Sequence, residues 1–161
     1  MKKPALIISA CLTGVSCRYD GLSKPLKAIR ELQEMFELVP VCPEIDGGLP
    51  VPRPPAEIRR GRVINAEGDD ITEVYEKGAN IAVVKAYECG AKYALLKERS
   101  PSCGTEEIYD GTFSGATVIG EGKTASALRS IGVICFSEEK VGELLNCIST
   151  KQTGNLSKQY Q

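Results

Sequence analysis

Three short apolar runs each lead into a polar loop that carries a cysteine: Ala5-Leu6-Ile7-Ile8-Ser9-Ala10, Phe36-Glu37-Leu38-Val39-Pro40-Val41 and Tyr93-Ala94-Leu95-Leu96. Runs of this kind read as strands, the first covered on both faces. Residues 25–36 space their apolar side chains at three and four, the pattern of an amphipathic helix. Residues 71–89 read as a long helix with Thr72 as its cap, an apolar stripe through Val74, Ala79, Ile81 and Ala82, and a stop at Gly90. A hairpin-like or irregular stretch over 106–121 precedes a helix over 124–131, a strand over 132–136, and a last helix capped by Ser137. Four prolines among residues 50–55 keep that loop stiff and extended. Strands alternating with helices predict one α/β domain over residues 1–150, three-layered and Rossmann-like, with a mostly parallel sheet of about four or five strands. A polar tail, 151–161, is expected to fray. Parallel sheets place ligand sites at the carboxyl ends of their strands. Cys11, Cys42 and Cys103 are therefore predicted to meet at one edge.

Composition then removes whole classes of chemistry. The 161 residues contain no His and no Trp, so Ser-His-Asp and Cys-His mechanisms and His-ligated metals are excluded. Twenty Lys and Arg against 21 Asp and Glu leave a net charge of -1, with no basic excess for a nucleic-acid backbone. No apolar run approaches the roughly 20 residues of a membrane span, and the first apolar stretch is too short for a signal peptide. A cytoplasmic location is expected, where thiols stay reduced. Seven cysteines then call for an explanation. Three or four thiolates without His suit soft metals, iron–sulfur clusters first and zinc second. Cys89, Cys135 and Cys147 read as core filling. Cys17 is open between a fourth ligand, a resolving thiol and an incidental one. Gly120-Glu121-Gly122-Lys123-Thr124-Ala125 partly matches phosphate-loop patterns, but a tight turn before a helix accounts for it. Arg59-Arg60-Gly61-Arg62 reads as a solvated loop or an anion contact.

Three strings stand intact: SACL-x-G-x-x-x-RYDG over 9–21, CPE-x-x-GGL-x-x-PRPP-x-E over 42–57, and KE-R-SPSCG over 97–104. In these the chain resembles the bacterial and archaeal family designated domain of unknown function 523, whose best-understood members are thiouracil desulfidases. The resemblance spans roughly residues 5–148. It implies a 4Fe-4S cluster on Cys11, Cys42 and Cys103, with one iron left open for the sulfur of a thiolated base, a small-molecule substrate. Glu44 and Ser100 then correspond to the acid/base groups, and Ser102, across Pro101 in the same loop, is the second serine candidate to relay a proton or hold the substrate oxygen. The chemistry of the residues agrees, because without His a carboxylate is the natural base, and Glu44 lies two positions past a ligand. Arg18, Tyr19 and Asp20 are placed to hydrogen-bond a pyrimidine edge, and Arg53 to position Glu44 or Glu57. Two rivals stay open at this point. One is a sulfur carrier with a persulfide on Cys103 or Cys11, and the other is a non-catalytic metal or redox sensor.

Overall fold

The computed structural model describes residues 2–158, with side chains through Lys151. Along the chain the elements are β1 (Ala5–Ser9), α1 (Ile29–Met35), β2 (Glu37–Val41), α2 (Pro43–Asp46), β3 (Ala56–Arg59), β4 (Arg62–Asn65) and α3 (Thr72–Cys89). They continue as β5 (Tyr93–Leu96), β6 (Glu107–Tyr109), β7 (Thr117–Ile119), α4 (Lys123–Ser130), β8 (Ile134–Ser137) and α5 (Val141–Lys158), with short 3-10 turns at Ala10–Thr13 and Glu138–Lys140. Strands β2, β1, β5 and β8 form one four-stranded parallel sheet in that order. Two antiparallel hairpins, β3–β4 and β6–β7, stand apart from it.

Side chains alternate across a strand, so each face of the sheet builds its own core. Leu6, Ile8, Tyr93 and Leu95 pack with Leu32 of α1 and with Leu144 and Ile148 of α5. Ile7, Ala94 and Leu96 pack on the other face with Ala86 of α3 and with Ala125 and Leu128 of α4. The result is the expected three-layer α/β domain. No described helix is long and apolar enough to cross a membrane.

Local departures have physical causes. Helix α1 begins four residues later than its apolar spacing implies. The backbone of Lys24 and Leu26 instead donates to the carbonyls of Cys11 and Leu12, at 2.8 and 3.0 Å. Thr72 does not cap α3. Its hydroxyl donates to Asp70 and accepts from Val63 N–H, while Asp70 Oδ1 takes the Thr72 N–H. The basic run at 59–62 forms the turn of hairpin β3–β4, with Arg60 and Gly61 at φ 49° and 76°. Arg62 there pairs with Asp70. Cys135 and Cys147 are half-buried beside the two cores, whereas Cys89 is exposed at the end of α3 and fills no core. Helix α5 carries eight residues past Thr150, into the segment expected to fray, and 159–161 lie outside the described residues.

Candidate active site

The carboxyl ends of β1, β2 and β5 open into one cavity of about 420 Å³, and Cys11, Cys42 and Cys103 all line it. Each cysteine is held by a different device. Cys11 sits in the 3-10 turn after β1, and its carbonyl accepts from Lys24 N–H. Cys42 ends β2 at the N-terminal boundary of α2, where Ile45 N–H reaches its sulfur. Pro43 occupies the first helical position, where a missing N–H costs nothing. Gly78 of α3 admits the close approach of α2, since a Cβ there would lie 1.9 Å from the Pro43 carbonyl oxygen.

The Cys103 loop is organised by Glu98, whose buried carboxylate accepts from the N–H groups of Thr105, Glu106 and Glu107 and from the Thr105 hydroxyl. Ser100 Oγ accepts from Ser102 and Cys103 N–H at 3.1 and 3.0 Å. The phosphate-loop look-alike belongs to the same arrangement. Gly122, Lys123 and Thr124 N–H donate to the carbonyls of Gly104, Pro101 and Ser102. The N-terminus of α4 is thus spent on the cysteine loop and offers nothing to a phosphate.

Glu44 also lines the cavity. Its Oε1 accepts from the Tyr75 hydroxyl at 2.6 Å and from Arg53 Nε at 3.2 Å. Oε2 has no hydrogen-bond partner among the described residues. Arg53 is buried, and its other guanidinium nitrogens donate to the carbonyls of Pro50 and Cys17. Arg18 and Tyr19 reach the cavity, with the guanidinium 6.0 Å from the ring centre. Asp20, paired with Arg18 at 3.4 Å, is exposed and away from the cavity lining. Ser102 is likewise not on the lining: its hydroxyl is buried against Thr124 Oγ1 at 2.8 Å and touches the Cys103 sulfur. Ser100 is on the lining.

Cys17 joins the thiols, in hydrogen-bond contact with both Cys11 and Cys42. The Cys11 thiol pushes the Cys17 pKa up, Cys42 pulls it down less strongly, and burial adds to the rise. Contact with Cys17, then burial, drive Cys42 far above its ordinary value. Burial pushes Cys103 up to about 12 despite hydroxyl contacts from Ser9 and Ser102. These thiols are protonated near neutral pH until something replaces their protons. Among the described residues no three Cys, Asp or Glu side chains converge on one point as a lone metal ion requires. A His-free donor set of three thiols around a cavity of this size fits a polynuclear iron–sulfur group.

Sequence reasoning passed over three contributors. Tyr75 reads in the sequence as one more helix residue of α3, and nothing local marks its reach to Glu44. Tyr109 and Phe113, from the β6–β7 hairpin, bring aromatic surface to the cavity. Only their spacing in an irregular stretch was visible, and that spacing carries no long-range signal.

The solved structure of a protein described as the 4Fe-4S-dependent thiouracil desulfidase TudS superimposes with a TM-score of 0.87, at 43% identity, over 92% of this chain and 99% of that one. A Bacillus subtilis (strain 168) protein described as the uncharacterized protein YbbK is 39% identical over 150 residues, covering 87% of this chain and 99% of its own length. The family model for 2-thiouracil desulfurase matches residues 6–140, which contain all three cysteine loops and the whole cavity. On that match and those relatives, the chain belongs to the 2-thiouracil desulfurase family.

Proposed function

We propose that this chain removes sulfur from a thiolated nucleobase of the thiouracil kind, without redox change, using a 4Fe-4S cluster on Cys11, Cys42 and Cys103. The observation that carries this reading is that thiols from three distant loops line one cavity together with the carboxylate of Glu44. When bound, the cluster supplies an iron with an open position, a Lewis acid for the thiocarbonyl sulfur. The overall change is thiocarbonyl plus water to carbonyl plus hydrogen sulfide, which needs no electron acceptor.

The protein's own residues then have defined tasks. Glu44 is fixed through Oε1 by Tyr75 and Arg53, and Oε2 takes the proton of the attacking water. Burial and the neighbouring Glu44 push the Tyr75 pKa upward, so that phenol remains a donor. Ser100 spends its lone pairs on two N–H groups and keeps its own hydrogen for the substrate. Arg18 and Tyr19 face the base from the loop after β1.

Two observations disfavour the rivals. Burial raises the Cys103 thiol, which makes it a poor nucleophile for a persulfide carrier. A sensor has no use for a cavity of about 420 Å³ beside its thiols. The chemistry also suits a reducing compartment, the cytoplasm, where such thiols survive. The test is anaerobic reconstitution with iron and sulfide, followed by 2-thiouracil. Uracil and sulfide should appear in equal amounts, and only from reconstituted protein. Turnover by cluster-free protein, or none by either form, would overturn the proposal.

A further inference from the structure

Part of the cavity is built by the two hairpins instead of the sheet: Glu57 from β3, Tyr109 from β6, and Phe113 from the turn between β6 and β7. That turn docks on β3 through a compact set of bonds. Glu57 Oε1 alone accepts from Gly111 N–H at 3.0 Å and from Phe113 N–H at 3.1 Å. Arg59, two residues along the same strand, donates to the Gly111 carbonyl through Nε and Nη2, at 3.2 and 2.7 Å. Gly111, at φ 90°, lets the turn lie flush, because a Cβ there would stand 2.8 Å from the Ile58 carbonyl oxygen. Phe113 is held at φ 55°, a left-handed backbone that a bulky residue adopts only when its surroundings impose it. The residue is 38% exposed, an arrangement a packing role does not require.

We propose that Glu57 is a positioning residue that latches the β6–β7 turn, so that Phe113 presents an aromatic face to the ring of the substrate. This rests on the reading of the cavity as a site for a flat thiolated base. Glu57 is buried, and a carboxylate is buried at acceptable cost only when hydrogen-bonded, which the two N–H groups supply. Stacking on an aromatic side chain recognises the face of a heterocycle and not its edge substituents. Phe113 therefore sets affinity for planar bases, while edge contacts from Arg18 and Tyr19 choose among them. The latch also separates Glu57 from any acid/base duty. Both bonds use one oxygen, so a glutamine, with one carbonyl oxygen, serves as well as the carboxylate.

The experiment combines hydrogen exchange over residues 109–117 with steady-state kinetics on 2-thiouracil, for E57A, E57Q and F113A. In E57A, exchange at Gly111 and Phe113 should rise at least tenfold, and E57Q should restore wild-type protection. KM should rise about tenfold in both E57A and F113A, the scale of one lost stacking contact, with kcat within about twofold. E57Q should match wild type in both parameters. Unchanged exchange in E57A overturns the latch, and unchanged KM in F113A overturns the stacking face. A hundredfold fall of kcat in E57Q would make Glu57 an acid/base group and overturn the proposal. If wild-type protein does not turn over 2-thiouracil, the functional reading falls, while the exchange measurement still decides the latch.

Discussion

At Glu44 two donors of different kind converge on one oxygen, a buried guanidinium and a buried phenol, and the second oxygen is left to the cavity. Such an arrangement fixes a carboxylate without using it up. Glu44→Gln should therefore keep the iron content and the visible absorbance of the reconstituted protein. Its turnover should fall about 10²–10⁴-fold, the usual size of a lost acid/base group. Retention of activity with an intact cluster would remove Glu44 from the mechanism. Ser100 is different, because its oxygen shapes the loop that carries Cys103. Ser100→Ala should lose some iron through that loop, so the informative quantity is turnover per bound cluster. A fall of about 10²-fold or more per cluster, the size of a lost proton-transfer group, marks contact with substrate. Unchanged turnover per cluster would restrict Ser100 to the loop. Ser102, bonded to Thr124 and turned from the cavity, offers the control within the same three residues.

Among the elements, the Cys103 loop and the start of α4 behave as one unit. Gly122 is its tightest point, since a Cβ there would lie 2.4 Å from the Ser102 carbonyl carbon and oxygen and 2.8 Å from Cys103 N. All of these are backbone atoms, so relief requires moving the loop. Gly122→Ala should cost about 2 kcal/mol, read as a fall in Tm of roughly 4–8 °C, and should weaken iron retention in step. An unchanged melting temperature would mean that the loop yields freely. The same loop carries an acid-sensitive tie. Burial alone raises the Glu98 pKa, but the Thr105 hydroxyl and the N–H groups of Glu106, Glu107 and Thr105 outweigh it and hold the carboxyl at about 2, below its ordinary 4.5. A carboxyl depressed in the folded state stabilises fully above its unfolded pKa, and the contribution disappears as pH falls through the folded one. Stability should thus drop between pH 4.5 and 2 by up to about 2–3 kcal/mol from this group. Denaturant titrations across that window should show the slope in wild type and a flatter one in Glu98→Gln.

For the whole molecule, the strand-end rule placed Cys11, Cys42 and Cys103 together from sequence alone, because three short apolar runs each ended at its own loop. Where local signals failed, distant partners had decided. The β3–β4 hairpin hid behind the charge of Arg59, Arg60 and Arg62, which masked an ordinary two-residue turn. Tyr75 and Phe113 became site residues only through contacts with segments 31 and 56 positions away. The same architecture decides what happens when the cluster is withdrawn. Both cores lie along the faces of the sheet, filled by Leu6, Ile8 and Leu95 on one side and by Ile7, Leu96 and Leu128 on the other. The cysteine cavity is at the ends of the strands, where Cys11 and Cys17 belong to the first core and Cys103 to the second, and the larger side chains of both cores lie away from it. Burial holds Cys103 at about 12, and Cys17 and Cys42 are also raised, so the thiols left after chelation are neutral and not buried charges. A chain of 161 residues buries enough surface to fold without a metal, unlike small zinc domains. Treatment of the reconstituted protein with a chelator and a reductant should therefore abolish turnover while preserving far-UV circular dichroism and a cooperative melt. Tm should fall only by the binding contribution of the cluster, and hydrogen exchange should increase in the three cysteine loops but not in β1 or β5. Loss of the cooperative transition on chelation would show instead that the cluster is part of the core.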